Sequence, residues 1–137
     1  MYKYSTKIRV RYAETDQMGV VYHANYLIYM EVARVEALRA LGFPYSALEK
    51  QGIAFPVVNV EIKYMRPAFY DEELTIFAAF SKMSAAKIEI DNEVFNAAGE
   101  LLCTAKVILV SIDMNTKKTC PIPENIVQTL QEKIKEV

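Results

Sequence analysis

Alternating apolar and polar residues indicate a strand at the start of the chain. Between Tyr4 and Tyr12, Ile8, Val10 and Tyr12 fall on one face, and lysine and arginine side chains fall on the other. A period of two is typical of a half-buried strand, so we predict one over this segment.

A long apolar segment over Ala24–Leu41 predicts the central helix of the fold. It is rich in helix-forming residues and stops at Gly42, a residue type that commonly ends helices. Leu27, Ile28 and Val32 fall among its few charged residues, so apolar side chains lie nearly all round the helix. Such a helix is typically buried on every side, and we expect this one to be.

Shorter elements complete the pattern. Helices are predicted over Tyr45–Gln51 and Ile126–Ile134, where Ile126, Val127, Leu130 and Ile134 form an apolar stripe. Four strand-like runs lie between these helices: Val58–Tyr64, Leu74–Phe80, Ile88–Val94 and Leu101–Ile112. The last run is apolar on both faces, as a central strand would be.

The connections between the four runs decide the fold class. They are short, which favours an antiparallel meander, and Asn96–Gly99 is typical of a hairpin turn. The burial expected of the long helix is satisfied if the sheet curves around it. We therefore predict an α+β fold with a five-stranded antiparallel sheet around a central helix and a C-terminal helix.

Composition narrows the class of protein. A length of 137 residues suits a single domain over residues 1–137. The 16 basic and 17 acidic residues are scattered and give a net charge of -1, which argues against nucleic-acid binding. No secretory leader or membrane-spanning run is found, so we expect a cytoplasmic protein without a membrane span.

Several kinds of site are excluded by residue counts. The chain has one histidine and no CxxC or HExxH spacing, so no metal site of those types is expected. It has four glycines and no glycine-rich phosphate loop. We therefore expect no metal and no nucleotide cofactor.

The stretch TDQMGVVYHANY, residues 15–26, carries the candidate chemistry. Asp16 follows the first strand, Gly19 supplies a tight or positive-φ turn, and His23 precedes the central helix. Unpaired N–H groups at a helix start can stabilise an oxyanion, and a nearby acid can attack a carbonyl or activate water.

A purely structural interpretation of the same residues is equally consistent with the pattern. Asp16 could shape a turn or cap a helix, and His23 could be a hydrogen-bonded structural residue. Asn25 could be an N-cap or turn residue, and Tyr22 could pack. The pattern alone leaves both interpretations open.

A resemblance to a known family favours the catalytic interpretation. The run Arg9–Tyr26, RVRYAETDQMGVVYHANY, resembles the signature of the 4-hydroxybenzoyl-CoA thioesterase-like family. Within it, the chain is most similar to the short acyl-CoA thioesterases associated with the Tol-Pal envelope system. Tyr64–Ala68 and Tyr70–Leu74 also resemble that family. The resemblance implies the hotdog fold, a sheet wrapped around a long helix, and hydrolysis of acyl-CoA to free acid and CoA.

The resemblance also implies a role for each residue of the stretch. Asp16 matches the catalytic carboxylate, acting as nucleophile or general base. His23 matches the residue whose backbone N–H faces the thioester carbonyl, and its imidazole is also implicated. Tyr22 and Asn25 become candidate substrate contacts, and Gly19 keeps the loop tight.

One part of the family pattern is missing. Where related thioesterases carry a basic cluster for the CoA phosphates, this chain has Ser84-Ala85-Ala86, flanked by Lys82 and Lys87. The phosphates would then contact Lys82 and Lys87, Arg66, or a neighbouring subunit. The alternative for both lysines is a solvated turn.

The resemblance also implies a partner, and rival functions follow from the same fold. A homodimer or homotetramer is expected, because an open sheet edge pairs readily with a second copy, and the site should lie at the dimer interface. The main alternative is a non-enzymatic acyl-CoA-binding or regulatory module. Others are a hotdog hydratase, whose motif is missing, and an interaction protein with a vestigial site. Cys103 as a nucleophile is the remaining option, although its position suits an inert core thiol.

Overall fold

The computed structural model describes residues 1–135, with side chains as far as residue 133. The strands are β1 Tyr2–Arg9, β2 Ile53–Ala54, β3 Val57–Tyr64, β4 Glu73–Met83, β5 Lys87–Phe95, β6 Leu101–Val110 and β7 Ile112–Asp113. The helices are α1 Asn25–Ala40, α2 Tyr45–Lys50 and α3 Glu124–Lys135. The side chain of Ile134, predicted on the apolar stripe, lies outside the described side chains.

Five strands form one antiparallel sheet in the order β1-β4-β5-β6-β3. The predicted α+β class, with a five-stranded sheet and a C-terminal helix, is confirmed. The predicted meander holds for β4, β5 and β6, but it is wrong for β3, which pairs with β6 and not with β4. The reason is that β1 occupies the outer edge of β4 from Tyr2 opposite Phe80 to Arg9 opposite Glu73. β3 is therefore an edge strand.

Helix α1 packs on the sheet with one face only. Tyr29, Met30 and Ala33 are buried against the strands, in a cluster that also contains residues of β4, β5 and β6. Ile28 on the opposite face is 54% exposed, and Leu27 and Val32 are each 39% exposed. The expectation of burial on every side is therefore wrong for the single chain, because no element among residues 1–135 covers that face.

The first strand ends earlier than its alternation predicts. β1 stops at Arg9, and residues Tyr12–Glu14 form a short 3-10 helix that leaves Tyr12 exposed. The cause is local: the Glu14 carboxylate accepts a hydrogen bond of 2.8 Å from the backbone N–H of Arg11 and turns the chain away from the sheet. The predicted strand position of Tyr12 is wrong for this reason.

The remaining elements agree with their predicted positions within a few residues. The turn at Asn96–Gly99 links β5 to β6, and the N–H of Gly99 donates a hydrogen bond of 3.0 Å to the carbonyl of Asn96. Ile126 and Leu130 of α3 are buried in the core. Among residues 1–135, no helix has the length and apolarity that crossing a membrane requires.

Candidate active site

The loop between β1 and α1 folds back on itself at Asp16–Gly19. The N–H of Gly19 donates to the carbonyl of Asp16 at 2.9 Å, and the N–H of Asp16 donates to the carbonyl of Val20 at 2.9 Å. Gly19 has φ +79°, a conformation that glycine adopts without steric cost. The predicted positive-φ turn is observed, and it fixes the backbone of the candidate acid.

The two carboxylate oxygens of Asp16 have different surroundings. Oδ1 accepts a hydrogen bond of 2.8 Å from the N–H of Met18, which is the bond of an Asx turn. Oδ2 has no hydrogen-bond partner among residues 1–135. Asp16 is half-buried at the edge of a cleft. It therefore shapes the turn with one oxygen and leaves the other without a partner in the described part of the chain.

The start of α1 leaves backbone donors unpaired. The N–H of Asn25 is bonded to the carbonyl of Tyr22 at 2.9 Å, whereas the N–H groups of His23 and Ala24 have no acceptor within the described part of the chain. A helix start also carries partial positive charge. These two N–H groups can therefore stabilise negative charge that develops on a bound oxygen.

Asn25 and Tyr22 lie beside this helix start but outside the cleft. The Asn25 amide donates a hydrogen bond of 2.8 Å to the carbonyl of Glu14, so it anchors the loop to the helix and does not cap it. Tyr22 is exposed, and its ring lies 4.4 Å from the His23 ring. Neither side chain is among those that line the cleft.

His23 is held from the other side by β3. The Tyr64 hydroxyl donates a hydrogen bond of 2.9 Å to the carbonyl oxygen of His23, and the two rings meet edge to face with centroids 6.3 Å apart. The sequence pattern does not predict this contact, because alternation identifies Tyr64 only as an apolar position of a strand. Its hydroxyl links the edge strand to the helix start.

These groups share one cleft of about 310 Å³. It is lined by Asp16, Met18, Val20, Val21, His23, Tyr26, Tyr64, Met65, Arg66 and Pro67. The structure therefore brings together three of the predicted site residues, Asp16, His23 and Arg66. Gly19 shapes the loop that carries Asp16.

The predicted basic contacts do not all lie together. Arg66 is at the cleft, where its guanidinium forms an ion pair of 2.7 Å with Glu100. Lys82 and Lys87 line a different groove at the β4–β5 turn. Lys87 pairs with Val110 at one end of β6. The N–H of Arg66 donates a hydrogen bond to the carbonyl of Leu102, near the other end of β6. Eight residues of strand separate those ends, about 27 Å at 3.4 Å per residue.

A comparison with known protein families matches residues 10–130 to the thioesterase-like superfamily. The chain belongs to this superfamily. The match covers both the loop that carries Asp16 and the strands that frame the cleft, so the predicted family is confirmed.

Individual relatives of this thioesterase-like chain agree with the assignment. The putative acyl-CoA thioesterase YneP of Bacillus subtilis is 42% identical over 112 residues, 82% of this chain and 81% of that protein. The acyl-CoA thioester hydrolase YbgC of Escherichia coli is 34% identical over 125 residues, 91% of this chain and 93% of that protein. The solved DHNA-CoA thioesterase of Staphylococcus aureus has a TM-score of 0.89 and 37% identity, covering 100% of this chain and 98% of that one. The predicted hotdog fold and class of enzyme, a thioester hydrolase, are confirmed.

A second carboxylate in this thioesterase, Glu14, stabilises the site loop. It accepts hydrogen bonds from the Arg11 guanidinium at 3.1 Å and from the Tyr29 hydroxyl at 3.0 Å, besides the Arg11 N–H. Burial alone would raise the pKa of Glu14, but these donors outweigh burial and lower it. Burial, and after it the hydrogen bond to Glu14, raise the pKa of Tyr29. In the sequence, the short spacing between Arg11 and Glu14 is the feature that indicates this role of Glu14.

Cys103 is fully buried in β6, and burial raises the pKa of its thiol to about 12. A thiol in this state carries almost no thiolate near neutral pH and is a poor nucleophile. Within the described residues, no group of three or more histidine, cysteine or acidic side chains could hold a metal ion.

Proposed function

We propose that this chain hydrolyses an acyl-CoA thioester to a free acid and CoA in the Asp16 cleft. The observation that carries the proposal is the state of the Asp16 carboxylate: Oδ1 is held by the N–H of Met18, Oδ2 has no hydrogen-bond partner among residues 1–135, and Asp16 lines the same cleft as His23. The names of the relatives, acyl-CoA thioesterase and acyl-CoA thioester hydrolase, support the same substrate class.

The proposed reaction uses two opposed features of the cleft. The thioester carbonyl oxygen accepts hydrogen bonds from the N–H groups of His23 and Ala24, which stabilise the oxyanion when the carbonyl carbon becomes tetrahedral. Oδ2 of Asp16 either attacks that carbon or removes a proton from the attacking water. The C–S bond then breaks, and CoA leaves as a thiolate that takes up a proton. Where Oδ2 is the nucleophile, a water molecule hydrolyses the resulting mixed anhydride, which releases the free acid and regenerates the carboxylate. Where Asp16 is the base, the free acid forms directly, and the proton that Asp16 removed from water passes to the thiolate. Both roles of Asp16 use the same oxygen.

The proposed enzyme is a homodimer, and two features of the chain support this. β3 is an edge strand of eight residues whose outer backbone groups have no strand beside them in the described chain. Next to it, the exposed face of α1 presents Leu27, Ile28 and Val32. A second copy that pairs its own β3 antiparallel to this one would cover both features and complete a ten-stranded sheet.

This arrangement also gives Lys82 and Lys87 a role. An antiparallel pairing of two copies of β3 brings the Val57 end of one copy beside the Tyr64 end of the other. The β4–β5 turn of the second copy then lies at the same end of the joint sheet as the Asp16 cleft. We propose that its Lys82 and Lys87 contact the CoA phosphates there, while Arg66 contributes from the cleft itself.

The proposed location is the cytoplasm. Cys103 and Cys120 are both free thiols, as is usual in a reducing compartment. Fractionation of cells that express the tagged chain, with a periplasmic marker as reference, tests this part of the proposal.

The test of the function is release of free CoA from short, long and aromatic acyl-CoA substrates by wild type and Asp16→Asn. The asparagine carbonyl can still accept the Met18 N–H, so this variant removes the charge and keeps the turn. The matched control is Asp113→Asn, because Asp113 Oδ1 accepts the N–H of Asn115 at 2.7 Å in an equivalent turn outside the cleft.

We expect Asp16→Asn to lose at least 100-fold in kcat/KM, about 2.7 kcal/mol of transition-state stabilisation. Asp113→Asn should keep wild-type turnover. Tight binding of an acyl-CoA without turnover by the folded wild type would instead favour the binding-module alternative. Equal turnover by wild type and Asp16→Asn would refute the proposed role of Asp16.

A further inference from the structure

Arg34 is a buried arginine without a partner in the described part of the chain. It lies in the middle of α1, is only 9% exposed, and forms no ion pair or hydrogen bond with any residue in the range 1–135. Its Nε is completely shielded from solvent. Burial of an unpaired charged group is unfavourable, so this side chain calls for an acceptor from outside the single chain.

The surroundings of Arg34 lie on the face that the single chain leaves uncovered. It lines a groove of about 220 Å³ between α1 and β3 together with Leu27, Ile28, Met30, Glu31, Val57, Val60 and Val107. Glu31 is the one acidic residue of that lining, and it is exposed and unpaired within the described chain. The groove therefore holds one cation and one anion on an otherwise apolar surface.

The same helix carries a pair with identical spacing that behaves differently. Glu36 and Arg39 are also three residues apart, Glu36 is half-buried and Arg39 is exposed, and they form an ion pair of 3.4 Å within the chain. Glu31 and Arg34 have the spacing for such a contact and do not make it. Their charges remain available to a second molecule.

A second copy of the chain has the complementary charges. When two copies of one helix pack antiparallel about a two-fold axis, residues equally distant from the axis on either side face each other. An axis that passes α1 between Glu31 and Arg34 sets each glutamate opposite the other copy's arginine. Val32 lies next to that axis, so the apolar side chains of Val32 from both copies enter the same contact. The surface is thus complementary to itself in both charge and polarity.

We propose that Glu31 of each copy pairs with Arg34 of the other, so that two symmetric ion pairs fix the register of the dimer. This inference rests on the proposed homodimer and adds the residues that specify it. Buried ion pairs contribute to the choice of partner and register more than to raw affinity. Here the pairs hold β3 of one copy beside the Tyr64 end of the other, where the cleft lies.

The experiment uses two variants of opposite charge, Glu31→Arg and Arg34→Glu, studied separately and mixed by sedimentation velocity. Each variant alone faces like charges across the interface, and we expect its dimer to dissociate at least tenfold more readily than wild type. A mixture in equal amounts restores both ion pairs, so heterodimers should form with near wild-type affinity.

Matched controls separate this effect from general changes in charge. Glu36→Arg and Arg39→Glu make the same charge changes on the same helix, at the pair that is closed within one chain, and should leave the dimer intact. Circular dichroism checks that every variant is folded. If Arg34→Glu does not fold, Arg34→Gln replaces it, and its mixture with Glu31→Arg regains one of the two ion pairs.

Each outcome is decisive. Single variants that dimerise like wild type would refute the ion pairs and leave the proposed dimer standing. Folded single variants that dissociate and stay monomeric when mixed would show that the charges do not meet across the interface. Folded wild type that is monomeric at every concentration would refute the dimer itself, whereas the turnover assay on Asp16 tests the chemistry separately.

Discussion

The Tyr64 hydroxyl donates a hydrogen bond of 2.9 Å to the backbone carbonyl oxygen of His23. The residues are 41 positions apart in sequence, and the contact joins the last residue of edge strand β3 to the turn that precedes α1. The carbonyl of His23 and the N–H of Ala24 belong to one planar peptide unit, so the hydrogen bond that holds this carbonyl also fixes the direction of that N–H. We therefore expect Tyr64 to be a positioning residue for the Ala24 N–H, one of the two proposed oxyanion donors.

Tyr64→Phe tests this relationship. It removes one hydrogen bond with little change in shape, so we expect unfolding to become easier by about 1 kcal/mol. We expect kcat to fall about fivefold while KM changes less, because the donors act mainly in the transition state. Tyr70→Phe is the control, since the Tyr70 hydroxyl is exposed and has no hydrogen-bond partner in the described chain. Equal kcat in Tyr64→Phe and wild type would argue against a positioning role.

Gly19→Ala should separate backbone strain from site geometry. An added Cβ at Gly19 meets no atom within 4 Å, so its cost arises from the positive φ and should be about 1 kcal/mol. Gly99 has nearly the same φ, +81°, and the same open space, in a hairpin away from the cleft. We expect similar losses of unfolding free energy in Gly19→Ala and Gly99→Ala, measured in urea, and a loss of turnover in Gly19→Ala alone.

The Glu14 carboxylate should make stability depend on acid pH. Its pKa is lowered in the folded protein below the ordinary value of 4.5, so its contribution is fully present above that value and is lost as pH falls through the folded pKa. Glu14→Gln should be less stable than wild type at pH 7, and the difference should shrink towards pH 3. Urea unfolding across this range measures it, with Glu36→Gln as control. A difference that stays constant with pH would contradict the assignment.

Cys103 should be chemically silent in the folded protein. Because burial holds the pKa of its thiol at about 12, iodoacetamide at pH 8 should leave it unmodified until guanidinium unfolds the chain. Mass spectrometry of the labelled peptides measures this. Cys103→Ala should lose about 1–2 kcal/mol of stability from the buried sulfur and keep its turnover. Lost turnover in folded Cys103→Ala would reopen the thiol as the nucleophile.

The sequence predicts those parts of the fold that local pattern controls. The Asn96–Gly99 turn and the run of β4, β5 and β6 follow from alternation and short connections, and they are observed. The position of β3 does not follow, because it depends on which sheet edge remains free after β1 has paired with β4. The spacing of apolar residues does not indicate which of two distant strands will pair with a given sheet edge.

The candidate site divides in the same way. Asp16, Gly19 and His23 are close in sequence, and their shared loop makes them predictable. The roles of Tyr64 and Glu14 are harder to predict. Tyr64 lies on a strand that is distant in sequence, and Glu14 forms a short turn within a segment whose alternating pattern predicts a strand. Apolar residues do lie all round α1, but the prediction that the chain buries all of them is wrong: Leu27 and Ile28 remain uncovered by the described chain. The sequence pattern indicates that a residue is buried, but it does not indicate whether the same chain or a partner molecule covers that residue.

The hydrogen bond from the Met18 N–H to Oδ1 of Asp16 has a consequence for isotope exchange. A carboxylate anchored through one oxygen cannot rotate, so the same oxygen, Oδ2, acts in every catalytic cycle. In ¹⁸O-labelled water, an anhydride opened by water at the aspartyl carbon would therefore place a single heavy oxygen in Asp16, however many cycles follow. A carboxylate that only activates water would gain none, and so would one whose anhydride is opened at the acyl carbon. A heavy oxygen in the peptide that contains Asp16 would therefore identify the acid as the nucleophile. One heavy oxygen instead of two after many turnovers would show that the turn prevents rotation of the carboxylate.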